Sequence, residues 1–417
     1  MQIMILWSTN HNILCAVVAS LQGIDHLRTI LGMSAANTIY LDHNATSPCS
    51  AAVIHAINQA LSEMWGNPSS PHLAGRRARA ALSNARDSVA ALAGCDADRL
   101  LFTSGATESC NHVIRCARRP SCERPALVTT VIEHAAVAAA AERETRDGRS
   151  HSMVGVDSNG IIDLHSLEDV VAEGNALVSV QWVNNELGVI QPIQSITTIC
   201  QHHGALLHVD ASQALGKLSM DLDELGADFV SMSGHKIGAP SGVGALYVKD
   251  RRTISALQVG GEQERARRAG TENLLGILGF GAAAAERFAE LPDLLMRWSK
   301  LRDDFESRLP FSARVNGRGA PRVPNTISAT FPAFDGAILL ARLDSRGIYV
   351  SQGSACHSAR PEPSHVLRAI GLSEADAYAT IRFSFGPTTT ADELRETCAI
   401  LASETQMMTH REGSAVA

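Results

Sequence analysis

Lysine is scarce in this chain. Of 36 basic residues only four are lysines, and the others are arginines, which stay protonated and cannot act as nucleophilic amines. Chemistry that needs an amine, such as a Schiff base, therefore has few candidates. Lys236 is the most suggestive, because it follows the β-type run 227–232 and precedes the turn Gly238–Gly242. The alternative is an ordinary lysine at the end of a strand. The four lysines are Lys217, Lys236, Lys249 and Lys300.

Other absences exclude whole classes of protein. No apolar run reaches the roughly 18 residues that would span a membrane, so we expect no membrane partner. The net charge of −7 argues against a general nucleic-acid surface. The short basic segments 76–79 and 265–268 remain candidate partner or phosphate sites. The nine cysteines are odd in number and form no C-x-x-C pair, so we expect no disulfides and a reducing cytoplasm. Cys110, Cys116 and Cys122 lack a usual metal-ligand spacing, so we expect no metal site.

The pattern along the chain predicts an α/β fold in two domains. Residues 1–33 are expected to be a non-native or disordered extension that ends at a second methionine, Met33. Helix-like and strand-like runs then alternate, which indicates a mostly parallel sheet covered by helices. We assign 50–291 to a large domain, 34–49 with 292–405 to a small domain, and 406–417 to a mobile tail. Pro292 is predicted to end a helix that begins near Asn273.

The segment Thr103–Glu108 joins a predicted strand to a predicted helix. Its small residues would let backbone N–H groups approach an anion at the start of the helix, where Ala106 and Thr107 lie. A serine or threonine before a glutamate is also a common helix cap. A phosphate site and a plain cap both fit this segment.

Two further residues follow predicted strands, where open α/β sheets bind their ligands. Asp210 ends the run 206–209 and could pair with a protonated pyridine nitrogen, or it could cap the next helix. His134 could stack on such a ring and move protons, or it could be an ordinary polar residue. Together with Lys236, Asp210 favours a pyridoxal phosphate ring held at both sides.

Cys356 lies in a Gly-, Ser- and Pro-rich segment, unlike the other cysteines. His357 and Arg360 are near enough in sequence to lower the pKa of its thiol, and the thiolate is the nucleophilic form. The alternative is an incidental cysteine in a loop.

These residues resemble the cysteine desulfurases of the NifS and IscS class over about residues 38–400. The resemblance implies a fold-type I pyridoxal-phosphate enzyme that is a homodimer and converts L-cysteine to L-alanine, leaving the sulfur as a persulfide. The matching segments, in order, are 42–48, 66–70 with His72, 103–108, 183–188, 208–210, 233–236, 268–271, 353–356 and 381–384.

The resemblance also implies a role for single residues. Lys236 would carry the Schiff base, Asp210 would face the pyridine nitrogen, His134 would stack on the ring, and Cys356 would accept the sulfur. Arg382 with Asn185 would hold the substrate carboxylate, and a protein acceptor would then take the sulfur. The remaining cofactor contacts are implied for Ala106, Thr107, Ser233 and His235 at the phosphate, with Thr271 from across the dimer, and for Asn185 and Gln213 near the ring.

Some residues depart from the family pattern without removing a catalytic group: His43, Ser47, Cys110 and Arg267. There are two alternatives to a desulfurase. One is a selenocysteine lyase or cysteine-sulfinate lyase on the same fold, and the other is a non-catalytic sulfur-carrier scaffold. Cys356 argues for the desulfurase. Iron–sulfur assembly, transfer-RNA thiolation and DNA phosphorothioation all remain open as destinations of the sulfur, with no direct nucleic-acid binding expected.

Overall fold

A computed structural model of the protein describes residues 38–119, 124–332, 334–353 and 363–415. The predicted extension 1–33 and Cys356 lie outside these residues. No helix in the described ranges is both long enough and apolar enough to cross a bilayer.

The described strands form a large sheet, a small sheet and a two-stranded pair. The runs 206–209 and 227–232 that the sequence indicated as strands are both present, with ends that differ by one or two residues. The strands are β1 (Ile39–Tyr40), β2 (Leu100–Thr103), β3 (Ala126–Thr130), β4 (His151–Val154), β5 (Ala176–Gln181), β6 (Leu206–Asp210), β7 (Phe229–Ser233), β8 (Gly244–Val248), β9 (Arg314–Val315), β10 (Thr326–Thr330), β11 (Ile348–Tyr349) and β12 (Thr380–Ser384).

The large sheet has seven strands in the order β2-β8-β7-β6-β5-β3-β4. Strand β8 runs antiparallel to both of its neighbours, and the other neighbouring pairs are parallel. The predicted mostly parallel sheet is therefore confirmed. Both faces are covered, because Val178 and Val180 of β5 pack into one apolar core and Leu177 packs into another. Strands buried on both faces read as continuous apolar runs, which explains why the sequence revealed them.

Helices cover the sheet and connect its strands. The helices are α1 (Ala51–Glu63), α2 (Leu73–Ala93), α3 (Ala106–Cys116), α4 (Ala135–Arg146), α5 (Leu164–Val171), α6 (Ile193–His202), α7 (Leu222–Leu225), α8 (Gln263–Ala266), α9 (Leu274–Arg308), α10 (Gly336–Ser345), α11 (His365–Ala369), α12 (Glu374–Tyr378) and α13 (Ala391–Ala415). Helix α13 thus reaches into the segment 406–417, whose mobility stays a prediction.

The prediction that a helix ends at Pro292 is wrong, because α9 continues through Pro292 to Arg308. Proline removes one backbone donor, yet packing on both sides holds the helix together. Before Pro292, Phe280 packs in the core of the large sheet. After it, Trp298 and Phe305 pack in the core of the small sheet. One helix therefore joins two cores that meet near Pro292, while the domain division itself stays a prediction.

The small sheet and the β1–β11 pair bring the N-terminal segment to the crevice. Strand β10 lies antiparallel between β12 and β9, and β1 pairs with β11 in parallel. Just after β1, Asp42 forms a bridge with Ser384 at the end of β12. The residues that follow Asp42 are thereby held next to the large sheet.

Helices α2 and α9 approach closely where Gly281 faces Ala85. A Cβ added at Gly281 would lie 2.6 Å from both Cα and Cβ of Ala85. The backbone of Ala85 cannot move aside in the way a flexible side chain could. The absence of a side chain at Gly281 therefore sets the spacing of the two helices.

We predict that Gly281→Ala destabilises the protein by about 1–3 kcal/mol, as overpacked cores do. In an exposed helix the same change would stabilise by about 0.5–1 kcal/mol, so the sign is diagnostic. Urea unfolding measures the difference. The matched control is Gly155→Ala, since an added Cβ there meets no atom within 4 Å. Equal stability of Gly281→Ala and the parent would contradict the close contact.

Candidate active site

A cavity of about 570 Å³ opens where the parallel strands of the large sheet end. Strands β6 and β7 end at Asp210 and Ser233, and His134 follows β3, so their side chains meet at one edge. Most of the predicted site residues are thus brought together. Those that line the cavity are Ala106, Thr107, His134, Asn185, Asp210, Gln213, Ser233, His235, Lys236 and Arg382.

The start of α3 forms an anion cradle at one end of the cavity. Its N-cap residue, Gly105, offers no side chain to the free N–H groups of the first turn. Glu108 accepts a hydrogen bond from the backbone N–H of Ser104, at 2.8 Å, and pairs with Arg268, at 2.9 Å. The N–H groups of the first turn and the helix dipole stay available to a ligand, together with Ser233 and His235. The geometry favours the phosphate site over the plain cap.

Lys236 lies in the short 3-10 turn that follows β7. Its Nζ donates hydrogen bonds to the backbone carbonyls of Asn44, at 2.7 Å, and Ala45, at 2.8 Å. These two carbonyls belong to the segment after β1, so Lys236 bridges the large sheet and the N-terminal segment. Such fixed acceptors hold an amine at a definite place in the cavity.

Asp210 is buried, and Ser212 orients it. Its Oδ1 accepts hydrogen bonds from the backbone N–H of Ser212, at 2.9 Å, and from the Ser212 hydroxyl, at 2.5 Å. The carboxylate is therefore held at one oxygen while it lines the cavity. That arrangement suits a carboxylate that faces a protonated ring nitrogen.

His134 caps α4, and this contact selects its tautomer. Its Nδ1 accepts a hydrogen bond from the backbone N–H of Ala136, at 3.1 Å. An acceptor Nδ1 carries no proton, so the neutral ring carries its proton on Nε2. His134 can therefore donate a hydrogen bond from Nε2.

Arg382 lies on β12 and reaches the cavity from the small sheet. One guanidinium nitrogen pairs with Asp42 Oδ1 at 2.6 Å, and another donates to the backbone carbonyl of Asn185 at 3.1 Å. Its Nε is buried without a hydrogen-bond partner among the described residues. A buried donor of this kind favours an anionic ligand.

A buried chain of hydrogen bonds lies across the strands behind Asp210. His208 of β6 contacts the hydroxyl of Ser179 on β5 through Nδ1 and that of Ser231 on β7 through Nε2, both at 2.8 Å. Burial lowers the pKa of His208 to about 4. Cys110 is buried nearby, and burial, reinforced by the charge of Asp210, raises the pKa of its thiol well above the usual value. Cys110, which departs from the family pattern, is thus buried directly beneath the site.

The other departures from the family pattern do not line the cavity. His43 is buried, contacts the Ser47 hydroxyl at 3.1 Å, and has its pKa lowered to about 4 by burial and by the charges of Lys217 and Arg287. Arg267 donates to the backbone carbonyl of Arg251 at 2.8 Å. None of these three residues, His43, Ser47 and Arg267, takes the place of a residue that lines the cavity.

Thr271 does not line this cavity. It is exposed in a neighbouring groove that it shares with Ser104 and Gly242. The segment that leads to it is strained, since Glu264, Arg265 and Ala266 all have positive φ angles, between 47° and 59°. The Glu264 carboxylate holds this turn through Arg86 at 2.6 Å and the backbone N–H of Phe102 at 3.0 Å.

Asn44, Glu186 and His365 are among the cavity residues that the sequence did not identify as site residues. Asn44 and Glu186 lie within the motif segments 42–48 and 183–188, so the motifs themselves could have revealed them. Glu186 accepts a hydrogen bond from Ser364 at 2.6 Å, and burial raises the pKa of its carboxyl. His365 contacts the backbone carbonyl of Glu133 at 3.0 Å. The sequence around His365 contains no pattern that indicates a site residue.

Comparison with known proteins identifies the family. Residues 39–396 match the model of the aminotransferase class-V family. This chain belongs to that family. A cysteine desulfurase from a Nostoc species is 40% identical over 362 residues, which cover 86% of this chain and 90% of that protein.

Solved structures agree with the family assignment. A NifS-like protein superposes with a TM-score of 0.82 at 33% identity and covers 89% of this chain and 100% of its own. A structure titled SspA in complex with cysteine superposes with a TM-score of 0.74 at 32% identity and covers 85% of this chain and 100% of its own. The predicted fold-type I architecture, the resemblance to cysteine desulfurases and the pyridoxal phosphate cofactor are confirmed.

We predict that His208 makes stability depend on pH. An unfolded histidine takes up a proton near pH 6.5, whereas folded His208 resists it until about pH 4. The unfolded state binds more protons between these values, so the free energy of unfolding falls as the pH falls through this window. From pH 7 to pH 5 the fall attributable to His208 is about 2 kcal/mol.

Urea unfolding at pH 7 and pH 5 tests this dependence. The pH-dependent loss should be smaller in His208→Asn than in the parent by that amount. His55→Asn, at an exposed histidine of α1, is the control and should leave the loss unchanged. An identical loss in His208→Asn and the parent would exclude a buried neutral His208.

Proposed function

We propose that this protein is a pyridoxal-phosphate-dependent cysteine desulfurase. It converts L-cysteine to L-alanine and transfers the sulfur to Cys356 as a persulfide. The observation that carries the proposal is the single cavity that gathers Lys236, Asp210, the start of α3 and Arg382. The relatives named cysteine desulfurase support the same activity.

The residues of the cavity fit the cofactor. Ala106, Thr107, Ser233 and His235 would hold the phosphate at the uncapped start of α3. Asp210, oriented by Ser212, would hold the protonated ring nitrogen, and Lys236 would anchor the cofactor through its amine. When bound, pyridoxal phosphate supplies an electron sink that makes the Cα proton of an amino acid acidic.

Substrate binding is assigned to Arg382 with Asn185. The buried Nε of Arg382 has no partner among the described residues, whereas Asp42 and the Asn185 carbonyl fix the rest of its guanidinium. A carboxylate bound there would complete the hydrogen bonds of the arginine. The α-amino acid would then be oriented by its carboxylate end.

Lys236 and His134 are assigned to proton movement. Lys236 Nζ lies within hydrogen-bond distance of two fixed carbonyls, so its amine stays in place when it accepts a proton. His134 carries its proton on Nε2, because Nδ1 accepts the N–H of Ala136. Through its Nε2–H, His134 therefore orients a proton-carrying group by a hydrogen bond, and it also shields one side of the cavity.

Cys356 is assigned to sulfur transfer on the sequence evidence alone. Its thiolate would form a bond to the substrate sulfur while the bond between that sulfur and Cβ breaks. The electron pair of the broken bond stays with the carbon, which becomes the methyl group of alanine after protonation. The product on the protein is a Cys356 persulfide that a protein acceptor can take up.

Several finer points belong to the same proposal. We place the enzyme in the cytoplasm as a homodimer, and Thr271, exposed in its own groove, would reach the phosphate of the partner subunit's cofactor. Residues 50–291 would form the cofactor domain, and residues 34–49 with 292–405 the small domain. The sulfur would go to a protein acceptor that serves iron–sulfur assembly, transfer-RNA thiolation or DNA phosphorothioation.

We predict that Arg382→Lys raises KM for L-cysteine at least about tenfold, because a lysine keeps the charge but lacks the buried Nε–H assigned to the carboxylate. Steady-state kinetics measure the change, and the visible absorbance of the bound cofactor should persist. Arg368→Lys, at an exposed arginine of α11, is the control. An unchanged KM in Arg382→Lys would remove Arg382 from the substrate site.

We predict that Cys356→Ser abolishes persulfide formation and nearly all sulfide release from L-cysteine, while the cofactor absorbance stays. Mass spectrometry of the protein after turnover should show one added sulfur in the parent and none in the variant. Cys49→Ser, at a half-buried free cysteine, is the control. Sulfide release that survives in Cys356→Ser would favour a selenocysteine or cysteine-sulfinate lyase, and a protein that binds no cofactor would favour the scaffold.

A further inference from the structure

Lys217 is buried next to the active site without lining the cavity. Its side chain is 2% exposed, and its Nζ donates hydrogen bonds to Asn44 Oδ1, at 2.6 Å, and to Gln213 Oε1. A buried lysine is costly, and an apolar side chain of similar size would pack there at lower cost. Its position therefore calls for a role that an apolar residue could not fill.

The contacts of Lys217 do not depend on its charge. Burial lowers its pKa well below the usual value, and Lys236, Arg287 and Arg382 lower it further. A neutral amine still carries two N–H groups, and an ammonium carries three. In either state both hydrogen bonds can form.

A donor at this place fixes the direction of two amide side chains. Lys217 must face an oxygen, so Gln213 turns Oε1 toward it and directs Nε2 to the Asn44 carbonyl, at 2.9 Å, and to the cavity that it lines. Asn44 likewise turns Oδ1 toward Lys217. Its Nδ2 then donates to the Asn185 carbonyl, at 3.2 Å, and to Thr326 Oγ1, at 3.0 Å.

The fixed amides in turn hold residues of the site. The Asn44 carbonyl accepts hydrogen bonds from both Gln213 Nε2 and Lys236 Nζ. The Asn185 carbonyl accepts from Asn44 and from Arg382. Lys217 therefore contacts residues that hold the cofactor and substrate groups, without lining the cavity itself.

We propose that Lys217 is a positioning residue that fixes the orientation of the Gln213 and Asn44 side-chain amides. In that orientation Gln213 presents an N–H donor to the cofactor. Asn44 in turn holds Lys236 and Asn185. The inference rests on the cofactor site proposed above. Without Lys217 either amide could rotate by half a turn and present an oxygen where a donor is needed.

A double-mutant cycle on cofactor affinity tests this role. The dissociation constant of pyridoxal phosphate is measured by the visible absorbance of the bound cofactor for the parent, Lys217→Met, Gln213→Met and the double variant. Each single change should weaken binding about tenfold, as loss of one hydrogen bond does. The double variant should bind more tightly than the product of the two single losses predicts, because Lys217 acts in part through Gln213.

Losses that multiply in the double variant, or unchanged affinity in Lys217→Met, would overturn the inference. Lys249→Met, at an exposed lysine, is the matched control and should keep the parent's affinity. A parent protein that binds no cofactor would instead contradict the proposed function. The two failures are therefore distinct.

A second variant covers the case in which Lys217→Met fails to fold. Gln213→Glu keeps an oxygen for Lys217 but has no N–H to present. A folded Gln213→Glu protein that binds the cofactor about tenfold more weakly would support the inference. Parent-like affinity in that folded variant would overturn it.

Discussion

The hydrogen bonds of Asn44 join the parts of the molecule that make the site. Its backbone N–H donates to Ser384 of β12, and its side chain donates to Thr326 of β10, so it is fixed to the small sheet. Its backbone carbonyl accepts from Lys236, which follows β7 of the large sheet. Asn44 belongs to neither sheet, and its contacts with both set the distance between them. The cavity has a definite shape because this short segment after β1 cannot move without breaking contacts on both sides.

Much of this arrangement could be read from the sequence, for physical reasons that differ between residues. The buried parallel strands were visible as apolar runs, and a polar residue at the end of such a run, such as Asp210, must lie at the ligand-binding edge. Lys236 stood out because lysine is rare in the chain. Arg382 came from the family resemblance, since an arginine within a strand carries no signal of its own.

What the sequence did not reveal depends on contacts between distant segments. Pro292 indicated a helix end, but packing of Phe280 on one side and Trp298 on the other outweighs the lost backbone hydrogen bond. The left-handed turn at Glu264 contains no glycine at its positive φ angles, and an ion pair with Arg86, far away in the sequence, holds it. Lys217 looked like any other lysine until its two amide partners were in view.

Burial limits the negative charge beside the cavity in a protein whose net charge is −7. Burial raises the pKa of Glu133 to about 8, and it also raises that of Glu186, so both carboxyl groups resist ionisation. Lys236 and Arg382 line the cavity, and the start of α3 adds the positive end of a helix dipole. A phosphate and an amino-acid carboxylate are both anions, so the resistance of Glu133 and Glu186 to ionisation suits them. The overall acidity of the chain is a property of its surface and says little about this cavity, because low polarity makes the nearest charges dominate.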